Sequence, residues 1–302
     1  MLVGPTGVGK TELSLCLAQK FPNIFEIISV DSVQIYRLLN IGSGKPGLKE
    51  REIVKHHLID VVDPDYSFSA GDFCRYSLKA VESIVEKKRI PFFVGGTGLY
   101  IDSFFKGLSQ IPHADPAIRE ELNDELKRKG LSVLYDELLS VDNVFAAKVH
   151  QNDKQRILRG LEVYRATNKP ISSFYLSKKG QRSERTFYLG LNEDRTVLRD
   201  RIDKRVDEMI ENGFVEEVKS IREKGYGPEL KSMNSIGYKE INMYIDGINN
   251  LNETVNSIKT ETKKYAKRQR TWFRKNKEIQ MFQVGETNNI EDMVSSWLDD
   301  VE

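Results

Sequence analysis

The first residues whose types and spacing could bind a ligand form a run of eight near the N-terminus. In order they are Gly4, Pro5, Thr6, Gly7, Val8, Gly9, Lys10 and Thr11. The run fits the pattern GxxxxGK followed by Ser or Thr, in which glycines let several backbone N–H groups point at phosphate oxygens. Lys10 adds a mobile cation, and the Thr11 hydroxyl can ligate Mg²⁺. The motif therefore predicts a di- or triphosphate ligand with Mg²⁺ as cofactor, but it does not identify the bond that breaks.

A second candidate follows the next apolar segment. Asp31 closes a predicted strand over residues 27–30 and begins the run DSVQIY. Ligands of parallel α/β sheets bind at the carboxyl ends of strands, so Asp31 should lie beside the phosphate loop. In a generic P-loop enzyme such a carboxylate could also hold Mg²⁺ through water, and the spacing alone leaves both roles open.

Arg205 lies at the edge of an apolar stripe. Leu198, Ile202, Val206 and Met209 recur at helical spacing, and on a helical wheel Arg205 falls beside them rather than opposite. Its guanidinium could reach a ligand, or its stem could cover the core while its head meets water or a carboxylate.

A basic stretch near the C-terminus is the strongest sign of a nucleic-acid partner. Within residues 259–277 the cations Lys263, Lys264, Lys267, Arg268, Arg270, Arg274 and Lys275 alternate with Tyr265, Trp272 and Phe273. Such a stripe suits contacts with a phosphate backbone. A solvated helix face would give the same pattern, so the stripe alone leaves both interpretations open.

The elements that must position these residues alternate between strand and helix, which predicts a parallel sheet with crossover helices. Predicted strands cover residues 27–30, 58–62, 90–94, 187–191 and 279–284. Predicted helices cover residues 11–21 and, from a Ser69–Asp72 capping pair, about 69–88. A further helix should open at about Leu99.

Between about residues 112 and 182 the pattern changes to charged amphipathic helices, including 118–129 and 153–167. We therefore predict an α/β fold with a P-loop NTPase-like parallel sheet core and an inserted all-helical domain. The catalytic core should comprise residues 1–111 and 183–302, and the helical insertion domain residues 112–182.

Composition excludes several classes of protein. The chain has 302 residues, of which 39% are hydrophobic, so a disordered chain is excluded. The 46 Lys and Arg nearly balance the 45 Asp and Glu, so any basic surface must come from local clustering. Cys16 and Cys74 are expected to be core thiols, and His56 and His57 strand-edge residues without a zinc partner set. No apolar run approaches 18 residues and no signal-peptide pattern is present, so we expect a cytosolic protein without a membrane partner. We also expect a monomer.

Seven segments, in one order across nearly the whole chain, resemble those of tRNA dimethylallyltransferases, also called tRNA isopentenyltransferases. They are GPTGVGKT at 4–11, SVDSVQIY at 29–36, GSGKP at 42–46, HLID at 57–60, VGGTGLY at 94–100, HQNDKQR at 150–156 and SIGYKE at 235–240. The departure from the family is the first strand, because only three residues precede Gly4.

The resemblance implies a reaction. Dimethylallyl diphosphate would give its prenyl group to N6 of the adenosine at position 37 of tRNA, 3′ of the anticodon, and diphosphate would leave. The family's roles map onto Asp31 as general base, Thr6 near the leaving oxygen and Arg205 on the diphosphate. The loop 4–11 would bind diphosphate, and Thr11 would ligate Mg²⁺.

The resemblance also implies contacts with the tRNA anticodon stem-loop. The implied residues are Asp31, Ser32, Val33, Gln34, Thr97, Arg119, Gln155, Arg156, Ile157, Leu158 and Arg159. We expect the helical domain to supply the last six, across a basic cleft from the core.

Two other functions share some of these features. A small-molecule or nucleotide kinase also has a P-loop and a parallel sheet, but it would need an arginine-bearing lid over the γ-phosphate. An RNA-binding adaptor with a decayed nucleotide site would not be expected to keep Lys10, Thr11 and Asp31 intact. The segments 31–36 and 95–100 favour the transferase over both.

Overall fold

The computed structural model describes residues 1–107, 111–112, 115–175 and 186–300. The chain forms two compact units, one of Met1–Phe105 with Arg182–Glu302 and the other of Lys106–Gln181. Among the described residues, none of the helices combines the length and the apolar character needed to cross a membrane.

The first unit is built on six parallel strands. They are β1 Leu2–Val3, β2 Phe25–Val30, β3 His56–His57, β4 Ile90–Gly95, β5 Leu189–Asn192 and β6 Gln280–Gln283, in the order β3-β2-β4-β1-β5-β6. The short β1 lies inside the sheet, where Leu2 pairs with Val94 on one side and Leu189 on the other. This arrangement confirms the predicted parallel core, with the phosphate loop directly after an inner strand.

Helices cover the sheet and form the second unit. In chain order they are α1 Lys10–Lys20, α2 Leu48–Ile53, α3 Ala70–Glu86, α4 Gly98–Phe105, α5 Pro116–Lys129, α6 Leu131–Val141, α7 Asn143–Ala146, α8 Lys154–Thr167, α9 Arg195–Glu211, α10 Phe214–Glu223, α11 Tyr238–Ile245, α12 Leu251–Phe273 and α13 Thr287–Asp299. The predicted capping pair is confirmed, since Ser69 and Asp72 exchange side-chain and backbone hydrogen bonds at the start of α3. Both cysteines are free, as predicted; each is only partly buried, and Cys74 packs against the edge of the core.

The predicted strand over residues 58–62 is wrong. This segment of the chain pairs with β2 only at His56–His57. Leu58 and Asp60 then adopt the left-handed backbone conformation, with φ of 61° and 57°. A residue in the left-handed conformation interrupts the hydrogen-bond ladder of a strand, so the run LIDVV forms a loop. Within this loop, Val62 makes an isolated parallel β-bridge with Tyr36. His56 and His57 do lie on an edge strand, as predicted.

Both faces of the sheet are buried, which explains why β2 is apolar without alternation. Phe25 and Ile27 pack into the core beside α1, whereas Ile28 and Val30 pack into the core beside α3. Glu26 points to the same side as Ile28 and is 0% exposed.

Three basic side chains surround the Glu26 carboxylate. His57 Nε2 lies 2.7 Å from Oε2, and Lys87 Nζ and Arg89 Nη1 lie 3.0 and 2.9 Å from Oε1. Burial alone would raise the pKa of Glu26, but the hydrogen bonds from His57 and Lys87 hold it below its usual value. The cluster ties the edge strand β3 to β2 and to the end of α3.

We expect Glu26→Gln to lower the free energy of unfolding by about 2 kcal/mol, because it leaves partly exposed cations without their counter-charge. A depressed carboxylate pKa means that this contribution is present above about pH 4.3 and is lost as the pH falls through the folded-state pKa. Urea denaturation at pH 7 and pH 3 measures both effects. The exposed Glu86→Gln is the control, and equal unfolding energies for the two variants would contradict the assignment.

The second unit is helical throughout the part that the structure describes. Its helices α5, α6 and α8 enclose a core of Leu122, Leu134, Leu138 and Leu161, all 0% exposed. Gly160 allows α8 to approach α6 closely, because a Cβ there would lie 2.6 Å from Leu138. Pro116 at the first turn of α5, capped by Asp115, explains where that helix begins.

Candidate active site

The chemically suggestive residues of the first unit meet at the carboxyl ends of the inner strands. The phosphate loop follows β1, Asp31 follows β2 and Gly96 follows β4, while α9 and α12 supply Arg205 and Tyr265. Together they line a cavity of about 880 Å³. Crossover connections in a parallel sheet place these strand ends at one edge, so the sheet itself assembles the site.

The phosphate loop is closed by its own lysine. Lys10 Nζ donates hydrogen bonds to the carbonyl oxygens of Gly4 (2.9 Å) and Pro5 (2.8 Å). Gly7 and Gly9 have φ of 79° and 100°, which only glycine adopts at little cost. The loop N–H groups and the start of α1 therefore converge where Lys10 emerges, an arrangement that favours an anion.

Burial and, to a lesser extent, the charge of Arg205 lower the pKa of Lys10 to about 7, although the Asp31 charge opposes the shift. Lys10 and Arg205 place two basic groups beside the phosphate loop, although the cavity wall also carries Glu12, Glu50 and Glu208. The backbone N–H groups and these two basic side chains favour an anion at the loop itself.

Asp31 directs one carboxylate oxygen into a turn and leaves the other facing the cavity. Its Oδ1 accepts hydrogen bonds from the N–H groups of Val33 (2.8 Å) and Gln34 (3.1 Å). No hydrogen bond from the described residues engages Oδ2. The turn fixes the orientation of the carboxyl group, so one oxygen remains free to accept a proton from a bound molecule.

Arg205 faces the phosphate loop from α9. A Cβ on Gly44 would lie 1.6 Å from its Nη2, so the guanidinium packs directly on the Gly44 backbone. Burial lowers the pKa of Arg205, whereas the nearby Asp31 charge raises it. Arg205 forms no hydrogen bond or ion pair with the described residues, which leaves its planar set of donors for an anionic ligand.

The loop that supports Arg205 is held by a carboxylate. Glu217 accepts hydrogen bonds from the N–H groups of Asn40, Ile41 and Gly42 at 3.1, 2.8 and 3.4 Å. It also accepts one from the Tyr238 hydroxyl at 2.7 Å. Sequence reasoning missed this role because Glu217 is far along the chain and looks like any helix-surface glutamate.

A second cavity of about 340 Å³ adjoins the first and has an apolar wall. Thr6, Asp31 and Arg205 line both cavities, whereas Ser32 and Val33 line only the second. The apolar wall consists of Ile202, Val206, Met209, Phe214, Ile236 and Ile258. A small branched hydrocarbon group would fit here beside the Asp31 carboxylate.

Other predicted residues of this unit lie close by. The buried Thr97 hydroxyl has no hydrogen-bond partner of normal geometry among the described residues. Gln34 is engaged internally, since its side chain accepts from Ser29 (2.9 Å) and donates to the Gly44 carbonyl (3.2 Å). Gln34 therefore supports the wall of the site with its side chain.

Two residues of α12 were not predicted as part of this site, although Tyr265 was noted in the basic stretch. Burial and then the Asp31 charge raise the pKa of Tyr265 to about 12, so its hydroxyl stays protonated beside Asp31. Gln269, 6% exposed, hydrogen bonds to both the phosphate loop and the loop after β4. The only signal in the sequence was their spacing of one helical turn, hidden among the surrounding cations.

The predicted residues of the helical unit divide into two groups. Arg119 and Arg159 both contact the buried Glu162, at 3.5 and 3.3 Å, whereas Arg156 is 64% exposed at its side chain. Gln155 is also exposed. Ile157 and Leu158 are 0% exposed in the core of the unit, so direct contact of these two with tRNA is not supported.

A divalent ion would have few protein ligands here. Among the described residues no group of three or more His, Cys, Asp or Glu could hold a metal. The Thr11 hydroxyl and Asp31 line the cavity with hard oxygen atoms. This set fits Mg²⁺, which commonly takes one or two protein ligands together with substrate phosphates and water.

Comparisons with known proteins show the family of the chain. A family model described as "IPP transferase" matches residues 34–276. A tRNA dimethylallyltransferase of Dictyoglomus turgidum is 44% identical, over 95% of this chain and 87% of that protein. One of Alkaliphilus oremlandii is 38% identical, over 99% and 96%.

Solved structures are similar over the same length. A full-length tRNA isopentenylpyrophosphate transferase from Bacillus halodurans has a TM-score of 0.71 and 36% identity, covering 99% of this chain and 96% of its own. A eukaryotic dimethylallyltransferase acting on tRNA has a TM-score of 0.78 and 29% identity, covering 99% and 78%. The chain therefore belongs to the IPP transferase family, together with the tRNA dimethylallyltransferases that it resembles over nearly its whole length.

Proposed function

We propose that this chain transfers the dimethylallyl group of dimethylallyl diphosphate to N6 of the adenosine at position 37 of tRNA, with release of diphosphate. The observation that supports this most directly is the position of Asp31. Its carboxylate lies between the cationic phosphate loop and the apolar cavity, where the acceptor amine and the carbon it attacks would meet.

Asp31 would act as the general base. An exocyclic adenine amine is a weak nucleophile whose proton becomes acidic only as the new C–N bond forms. A carboxylate with one free oxygen can accept that proton in the transition state. The turn hydrogen bonds on Oδ1 orient the group without consuming Oδ2.

Lys10 and Arg205 would stabilise the leaving group. Negative charge develops on the bridging oxygen as the C–O bond breaks, and both of these basic side chains line the cavity. Mg²⁺ held by the Thr11 hydroxyl would neutralise further charge on the diphosphate. Thr6 lines both cavities, so its hydroxyl would lie near the oxygen that departs.

A basic groove between α9 and α12 supports an RNA substrate. It has a volume of about 420 Å³, and five of its cations form no ion pair with the described residues. These are Arg195, Arg199, Lys267, Arg270 and Arg274. Unpaired cations along a groove are suited to phosphate contacts, which would make binding strongly salt-dependent.

The kinase alternative is weaker. The described arginines of the helical unit are largely engaged within it, because Arg165 pairs with Glu125 and Glu137 while Arg119 and Arg159 pair with Glu162. They therefore do not form a free cationic lid of the kind that a γ-phosphate would require.

The proposed cytosolic location, monomeric state and RNA-clamping role of the helical unit stay predictions.

The function is tested by incubating the protein with tRNA, Mg²⁺ and dimethylallyl diphosphate and digesting the tRNA to nucleosides. Mass spectrometry should find a dimethylallyl-adenosine, and sequencing of the modified fragment should place it 3′ of the anticodon. Protein and ATP without the prenyl donor is the control. Dimethylallyl-adenosine that is equally abundant without the added donor, or absent with it, would refute the proposal.

Arg156 provides the cleanest test of the helical unit. Its side chain is exposed and pairs only loosely with Asp153, at 3.4 Å. Arg156→Ala should weaken tRNA binding about 3- to 10-fold and reduce the salt slope by about one unit, because one phosphate contact is lost. Lys127→Ala, which removes an exposed cation of the same unit, is the control. Equal tRNA affinities for the two variants over a salt series would exclude Arg156 from the interface.

A further inference from the structure

One buried amide joins the two loops that frame the proposed site. Gln269 Oε1 accepts a hydrogen bond from the Thr6 N–H at 2.8 Å, and Gln269 Nε2 donates one to the Gly96 carbonyl at 2.9 Å. Thr6 belongs to the phosphate loop, and Gly96 follows β4. A single side chain of α12 thus spans two loops that no other described side chain connects by hydrogen bonds.

The loop after β4 is shaped to accept this amide. A Cβ on Gly96 would lie 2.2 Å from Gln269 Nε2, and one on Gly98 would lie 2.6 Å from the Trp272 ring. Only glycine at these positions lets α12 approach so closely. The contact is therefore built by both partners, rather than being an incidental hydrogen bond of a surface side chain.

We infer that Gln269 is a positioning residue, which acts through Thr6 and Gly96 to hold the phosphate loop in its reactive geometry. This inference rests on the proposed function, because it concerns the same site. Gln269 lines the first cavity but sends both of its polar atoms to the protein backbone. Its effect on chemistry is therefore indirect.

The physical reason lies in the Thr6 peptide. Most N–H groups of a phosphate loop turn toward the anion, but the Thr6 N–H is already engaged by Gln269. This bond fixes the rotation of the Thr6 backbone and thereby the direction of its hydroxyl. A displacement of about 1 Å in such a group can cost about 10²-fold in rate.

Gln269 also lies on the same helix as the basic residues proposed to contact RNA. The neighbouring residues Lys267, Arg268 and Arg270 present the cations of α12, whereas Gln269 and Tyr265 face the site. A small shift of α12 would be transmitted to the phosphate loop through the two amide hydrogen bonds. Gln269 is therefore the point at which the basic helix and the phosphate loop are mechanically coupled.

The test uses the full chain and replaces the amide by an apolar group of similar length. Gln269→Met should lower kcat about 10- to 100-fold per folded molecule, while KM for tRNA stays within about threefold. Gln280→Met, the same change at an exposed position of β6, should leave kcat unaltered. If kcat were unchanged and only KM for tRNA rose, Gln269 would be an RNA contact and the inference would be overturned.

Gln269→Glu adds a second measurement, the pH dependence of kcat, which a purely structural role for Gln269 would not change. Ionised glutamate can accept from Thr6 but cannot donate to Gly96, whereas the protonated acid can do both. Burial raises the pKa of a carboxyl group, so the ratio of variant to wild-type kcat should rise as the pH falls from 8 to 6. A ratio that does not change with pH would contradict the inference.

Two further measurements keep the inference separate from the proposed function. Hydrogen exchange at the Thr6 amide should be faster in Gln269→Met than in wild type, whether or not either protein modifies tRNA. If Gln269→Met does not fold, Gly96→Ala displaces the same amide from the other side and should give the same loss of kcat. Unchanged exchange at Thr6 would overturn the inference, whereas an inactive wild type with protected Thr6 would refute only the proposed function.

Discussion

Asp31→Asn is expected to lower kcat by about 10² to 10⁴ while leaving tRNA affinity within a few-fold of wild type. The asparagine oxygen can still accept the N–H groups of Val33 and Gln34, so the turn after β2 should survive. What disappears is the basic oxygen that faces the cavity. Single-turnover kinetics with saturating donor and tRNA would measure the chemical step, and filter binding would measure tRNA affinity.

The matched control is Asp63→Asn, the same change at an exposed residue paired only with Arg37 at 3.0 Å. Its kcat should equal that of wild type. If Asp31→Asn turned over as fast as this control, Asp31 would not be the base. If tRNA binding fell in proportion to kcat, Asp31 would serve as a binding residue instead.

The sequence predicted best what depends on local chemistry. Gly4 to Thr11 forms a phosphate loop because glycine spacing and a following helix suffice to define it. The Ser69 cap and the apolar strand before Asp31 likewise carry their signals within a few residues. These features locate the site at one edge of the sheet, as predicted.

The residues that hold the site in shape were beyond such reasoning. Glu217 binds three backbone N–H groups of a loop about 175 residues earlier in the chain, and Gln269 binds Thr6 at a separation of 263. Neither pairing has a local signature, because it exists only after the sheet brings the segments together. Ile157 and Leu158 show the converse case, because the family resemblance implied that they contact tRNA, whereas both lie in the core of the helical unit.

The predicted strand at 58–62 failed for a related reason. Four of its five residues are apolar, and a short apolar run does not by itself establish a strand. Asp60 accepts hydrogen bonds from Lys45 (2.6 Å) and Arg51 (2.7 Å), an arrangement that accompanies the left-handed turn. These partners lie 15 and 9 residues away in the chain, outside the window in which apolar periodicity is read.

Lys10→Met is expected to weaken donor binding about 10- to 100-fold, through loss of a charge-assisted hydrogen bond. It should also lower kcat about 10²- to 10³-fold, because the missing cation would have stabilised charge on the leaving diphosphate. Binding of tRNA alone should be unaffected. Calorimetry with dimethylallyl diphosphate and Mg²⁺ measures the first effect, and single-turnover kinetics measures the second.

The lowered pKa of Lys10 adds a pH dependence with a defined sign. With a pKa of about 7 the lysine is largely neutral above that pH, and a bound diphosphate raises the pKa because it favours the cation. Donor binding must then take up a proton, so affinity should fall by up to about tenfold per pH unit between pH 7 and 9. Calorimetry in two buffers of different ionisation enthalpy counts that proton.

Lys10→Met should abolish both the slope and the proton uptake, since no titrating group remains in that position. Lys20→Met, which removes a lysine 59% exposed at its side chain from the end of the same helix, should keep both. Donor affinity that is independent of pH in the wild type would show that Lys10 is already a full cation before binding. A slope that persisted in Lys10→Met would assign the titration to another group, and the proposed part of Lys10 in holding the diphosphate would then fail.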